Sequence, residues 1–142
     1  MRLALRIGLI ALGLPQAAIG VWALASAKGW FDSFPGAGRQ WLGDYGPYNQ
    51  HLATDVGATF VAIGALLIIA AWLLDHRTVV IALVVYLIYA IPHALFHLIH
   101  DDVLSSGDRI FDGAVLTLTV FGALGLIWVS SQTERSVRTS AV

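Results

Sequence analysis

Cysteine is absent from the 142 residues, methionine occurs once, and only 12% of the chain is charged. The first absence excludes disulfides, thiolate catalysis, Cys-ligated zinc and iron–sulfur clusters together. The single methionine leaves no soft ligand set for Cu(I). The scarcity of charge says most, because a soluble domain of this size carries about twice that fraction. A net charge of −1 gives no reason to expect nucleic acid as a partner. What fills the chain is hydrocarbon, 58% of residues at a mean hydropathy of +0.77. The expectation is an all-α integral membrane protein of one domain whose first partner is the lipid bilayer.

Four apolar runs stand out: Ile7 to Ala27, Leu52 to Leu74, Thr78 to Ile99 and Ile110 to Ser130. Each reaches the roughly 20 residues a helix needs to cross a bilayer. They are too long for strands and do not alternate, so an integral membrane four-helix bundle is predicted. The opening MRLALR, with an apolar run and ALASA after it, has the outline of a signal peptide. Its apolar part exceeds the ~7–15 residues usual there, and it is read as a retained first span.

Lysine and arginine set orientation. Arg2, Arg6, Arg77, Arg135 and Arg138 fall on one side, and Lys28, Arg39 and Arg109 on the other. That bias puts both termini in the cytoplasm and the protein in the cell inner (plasma) membrane. Only Asp75 and Glu134 accompany the first group; Asp32, Asp44, Asp55, Asp101, Asp102, Asp108 and Asp112 lie at the other side. Acidic residues do little to set topology, so their asymmetry marks the outer side as the working face.

The third run ends in PHALFHLIHDD. At 100° per residue, Tyr86, Tyr89, His93, His97 and His100 share an arc of about 80°. Pro92 has no N–H for the Ile88 carbonyl and should kink this helix. The second run opens PYNQHLATDVG, where His51 and Asp55 are one turn apart. Ala58, Ala62 and Ala65 continue that face and suit close helix approach, which places His51 and Asp55 inside the bundle. Asp108 and Asp112 repeat the spacing at the start of the fourth run, with Thr119 and Gly122 beyond.

Ionisable groups within spans are costly and usually face the interior. His51, Asp55, His93, His97, His100 and Asp108 are therefore the candidate ligands of a divalent transition metal, Zn, Fe, Mn or Cu. Asp112 is the candidate base or histidine-orienting group, and Tyr89 the candidate donor to an oxyanion. Blander roles stand beside these. Asp101 and Asp102 read as solvated at a helix end, Asp108 as a helix cap, and His–Asp salt bridges as a packing network. The connection KGWFDSFPGAGRQWLGDYGPYNQ reads either as an interfacial aromatic belt or as a folded cap over the helix ends.

Other classes fit less well. The fragment HALFH matches one histidine box of membrane di-iron desaturases, but five histidines in all are too few for the several boxes those enzymes carry. A transporter lacks polar stepping stones in AIGALLIIAAWLL and VVIALVVYL. Haem held by His51 with His93 or His97, or a quinone, is the alternative cofactor.

The elements FPG, PYN-x-HL-x-x-DVG and PH-x-x-x-H-x-x-H, about a third of the chain, resemble a group of small four-span bacterial membrane proteins, including sequences of high-GC Gram-positive bacteria. The matching positions are Pro47, Tyr48, Asn49, His51, Asp55, Pro92, His93, His97 and His100. The resemblance implies a membrane bundle and no particular chemistry. Two functions are carried forward. One is a metal-dependent enzyme or sensor acting on a lipid-soluble small molecule. The other is a non-enzymatic subunit of a homo-oligomer or larger membrane complex.

Overall fold

The computed structural model describes residues 1–139. Six helices follow one another: α1 (Arg2–Ala25), α2 (Ala27–Ser33), α3 (Trp41–Tyr45), α4 (Gln50–Leu73), α5 (His76–His100) and α6 (Ser106–Thr139), with a 3-10 turn at Asp101–Val103. Among the described residues there is no strand, and α1, α4, α5 and α6 are each long and apolar enough to cross a membrane. Arg135 and Arg138, part of the charge bias above, lie outside the residues whose side chains are described.

The long helices start where polar side chains take up orphan N–H groups. Asn49 accepts from the Leu52 N–H at 3.1 Å, and Asp75 from the Thr78 N–H at 3.0 Å. The Thr78 hydrogen bonds hold the Asp75 carboxyl below the usual carboxylate range. At α6 the cap is Ser105, not Asp108. Its Oγ accepts from the Asp108 N–H at 3.2 Å and donates to Asp108 Oδ2 at 2.8 Å, a reciprocal arrangement like a capping box. α4 ends on Leu74 in the left-handed region at φ 52, and Asp75 opens α5 at once. So short a connection makes the two helices antiparallel neighbours.

α1 lies against α4 along a glycine seam. A Cβ on Gly20 would sit 2.7 Å from the Gly57 carbonyl oxygen and the Val61 nitrogen; one on Gly64 would sit 2.6 Å from the Ala17 nitrogen. The backbones themselves touch at Gly13–Gly64 and Gly20–Gly57, which only glycine permits. The expected close face, Ala58, Ala62 and Ala65, is instead exposed. The true seam is displaced by one residue, which is 100° around the helix, because glycine admits a closer approach than alanine. Leu9, Leu67, Val79 and Leu83 fill the core beside it. Trp72, Ile88, Ile110 and Leu118 are among the large apolar side chains left on the outside, where lipid is the matching solvent.

The connection after α1 folds as a cap. Trp30 and Trp41 are buried, Phe34 bridges them at 6.0 and 6.2 Å between ring centroids, and Trp41 meets Phe111 of α6 at 6.3 Å. Arg39 adds a 2.6 Å bond to Asp108. α5 runs through Pro92 as one helix.

The seam predicts an asymmetry among glycines. Gly64→Val forces two backbones apart and should cost about 1–3 kcal/mol of stability. Gly122→Ala, where a Cβ meets nothing within 4 Å, should be neutral or stabilising by about 0.5–1 kcal/mol. Thermal unfolding followed by circular dichroism in detergent compares the two.

Candidate metal centre

At the capped end, three elements converge on one imidazole. His97 is in the last turn of α5, Asp101 in the 3-10 turn, and Asp112 two turns into α6. His97 Nδ1 lies 2.9 Å from Asp101 Oδ1 and 3.0 Å from Asp112 Oδ2. Asp101 is reached because the chain tightens into the 3-10 turn directly after α5, with the Asp101 N–H still bonded to the His97 carbonyl. Its side chain is 3% exposed. The cap supplies the fourth group, Tyr45 from α3. Its hydroxyl donates to Asp101 Oδ1 and lies 3.2 Å from His97 Nδ1, while its ring packs on His97 and Phe96. Burial, then the Asp101 carboxylate, push the Tyr45 phenol above its ordinary range.

These contacts leave a deficit. A ring nitrogen carries at most one hydrogen, so Nδ1 cannot donate to both carboxylates. Asp112 Oδ2 is buried without a hydrogen-bond partner, although it stands 3.0 Å from that nitrogen. A buried carboxylate oxygen without a donor is expensive. Two carboxylates facing one imidazole also carry more negative charge than the imidazole can balance even when protonated. A divalent cation would satisfy both needs. The candidate ligand atoms of His97, Asp101 and Asp112 lie within 4.8 Å of one another, against an edge of about 3.4 Å for a tetrahedron of ~2.1 Å bonds, so an ion would draw them closer.

The other expected residues go elsewhere. His93 lies one turn deeper, its ring 4.6 Å from that of His97 and stacked on Tyr89 at 5.0 Å. Tyr89 in turn packs against Phe60 at 5.2 Å. His100 leaves the stripe, stacking on Phe96 at 4.4 Å and donating from Nδ1 to the Phe96 carbonyl. Asp108 turns to Arg39 and Ser105, although Asp112 one turn later faces His97.

The inward placement of His51 and Asp55 is corrected. They pair with each other at 3.3 Å on the outside of α4, with side chains 88% and 60% exposed. The reason is the glycine seam: it turns Gly57 and Phe60 inward and the His51 face away. His51 is therefore not opposed to His93 or His97, and the histidine pair on facing helices that a haem would need is not formed by His51 within this chain.

Asp101 and Tyr45 join the cluster although the sequence pattern does not place them there. Asp101, expected in solvent, stands four residues after His97, the same spacing as the other pairs, and is buried beside it. Tyr45 carries no local signal at all. Comparisons with protein-family models, curated proteins and solved structures return no match.

The geometry predicts that Tyr45→Phe, which takes the donor from buried Asp101, lowers stability by about 1–3 kcal/mol. His51→Ala, losing an exposed pair, should stay within about 0.5 kcal/mol. Thermal unfolding of the two variants against wild type checks both. The raised phenol also sets a pH dependence. Because Tyr45 is held protonated in the fold, its contribution is complete below the ordinary tyrosine value of about 10 and is lost as pH rises through the higher folded value. The difference in ultraviolet titration between wild type and Tyr45→Phe reads that ionisation directly.

Proposed function

We propose that the protein binds a divalent transition metal through His97, Asp101 and Asp112 and uses it as an enzyme or sensor toward a membrane-soluble ligand. The observation that carries this reading is that Asp101 and buried Asp112 Oδ2 are both held against a single imidazole nitrogen, at 2.9 and 3.0 Å, which has at most one hydrogen for the two carboxylates. One nitrogen and two carboxylate oxygens without sulfur suit Zn(II), Fe(II) or Mn(II). Three protein ligands would leave a position for water or substrate, with Tyr45 as the adjacent hydroxyl. Imidazole must be neutral to ligate, so affinity should fall in acid. In this proposal the protein lies in the plasma membrane with both termini in the cytoplasm, and the metal faces the outer side under the aromatic cap.

A second reading is supported by the Tyr45 contacts with Asp101 and His97. A shared proton on the cluster, with no metal, would then lock the cap to the bundle in a non-enzymatic subunit.

Elemental analysis of the detergent-purified protein separates the two. About one metal per chain is expected in wild type and in His51→Ala. Metal should be lost in His97→Ala and reduced about 10–100-fold in affinity or more in Asp112→Asn. If wild type stays metal-free after incubation with Zn(II), Fe(II) and Mn(II), the metal reading fails and the proton-sharing network takes its place.

A further inference from the structure

The end opposite the cap carries a different kind of site. Arg2 and Arg6 stand one turn apart on α1, beside the final residues of α4. With Leu3, Trp72, Leu73 and Leu74 they line a cleft of about 330 Å³. Arg6 is already aimed, because its Nε–H donates to the Ala71 carbonyl at 3.1 Å. That bond spends one donor on the open C-terminal end of α4 and leaves the Nη groups without an acceptor among the described residues. Arg2 has no acceptor among the described residues, and neither arginine has a carboxylate partner there. Asp75, which directly follows Leu74 of the cleft, accepts from the Thr78 N–H. The first N–H groups of α1 lie at this same end and add positive potential.

The cleft also has an apolar side. Trp72 is 77% exposed, and Leu3 and Leu73 are exposed beside it. An indole at the mouth of a basic cleft, with aliphatic side chains continuing along the bundle surface, suits a molecule with a charged head and a hydrocarbon body. We infer that this cleft is a binding site for an anionic phospholipid, its phosphate held between Arg2 and Arg6 and its glycerol and upper acyl chain lying against Trp72 and Leu73. Two guanidinium groups one turn apart match the oxygens of a phosphate. A free phosphate would use the arginines alone and leave the indole and leucines without a role. The inference does not rest on the metal centre, which lies at the other end of the helices.

Native mass spectrometry of the full chain, released from micelles containing equal phosphatidylglycerol and phosphatidylcholine, tests it. Wild type should retain one phosphatidylglycerol in preference to phosphatidylcholine. Arg2→Gln should reduce that retention about tenfold, and this variant breaks no internal bond, so folding is not at issue. Trp72→Ala should weaken retention of phosphatidylglycerol as well, whereas Arg77→Gln, outside the cleft, should not. Equal retention of the two lipids overturns the inference, as does unchanged retention in Arg2→Gln. Displacement of the lipid by millimolar inorganic phosphate would show a free-anion site and overturn the lipid assignment.

Discussion

His97 Nδ1 is a single atom to which three separate parts of the chain are tied. Asp101 reaches it from the 3-10 turn, Asp112 from α6 and Tyr45 from the cap. Each of those elements has other contacts, but this is where all of them meet around one polar centre. In water the arrangement would be worth little, because each group would be solvated and the charges screened. Under an aromatic cap the same groups lose solvent, and the cost of any unbalanced charge or missing donor rises. The cluster is therefore tight and, counted in protons, short of positive charge. With imidazolium and two carboxylates the sum is −1; with neutral imidazole and a divalent cation it is zero. That arithmetic distinguishes this group from the exposed pairs, His51 with Asp55 and Lys28 with Asp32, which solvent already balances.

The bundle divides the labour of holding this centre. α1 and α4 meet backbone to backbone through Gly13, Gly20, Gly57 and Gly64 and contribute none of the atoms at His97 Nδ1. α5 and α6, joined by a short turn, contribute His97, Asp101 and Asp112. The first pair thus serves as a scaffold, and its closeness fixes where the cap must start, since α2 leaves α1 at Ser26 and α4 resumes at Gln50. Tyr45 lies on that return path. The buried Trp30 and Trp41 set the depth of the cap on the bundle, and Arg39 fastens it laterally to Asp108. Phe111, adjacent to Asp112, lies beneath Trp41, so the same turn of α6 receives the cap and supplies a carboxylate.

Much of the fold was legible from hydropathy alone, because four runs of that length admit only a helical bundle. The ends were less so: Asn49, Asp75 and Ser105 fix helix starts from outside the apolar runs, and Ser26 breaks α1 just before the expected end. The face of α4 that packs inward does not follow from its first polar residues. His51 and Asp55 lie in the first two turns, where a polar pair can meet water at the membrane surface without facing the interior, and the decisive contact was made by glycines one position further on. In the site, His97 and Asp112 stood out by spacing, whereas Asp101 was hidden by its neighbour. Asp101 and Asp102 look alike in sequence, and only the 3-10 turn buries the first and exposes the second. Tyr45 is separated from His97 by 52 residues, and no periodicity carries across a loop of that kind.

The two ends of the molecule present opposite chemistry for one physical reason. A helix bundle has few side-chain positions outside the hydrocarbon, and those at each end share one environment. At the capped end His97, Asp101 and Asp112 are gathered under aromatic rings that withdraw them from water. At the other end Arg6 bonds an α4 carbonyl and Arg2 is exposed beside it. A cation would be favoured at the first and an anion at the second, and little in the spans between connects them: His93, Tyr89 and Tyr86 continue inward from His97, but Leu83 and Val79 beyond them are fully buried and apolar. Conduction along the bundle is thus opposed by the same packing that gives it its stability.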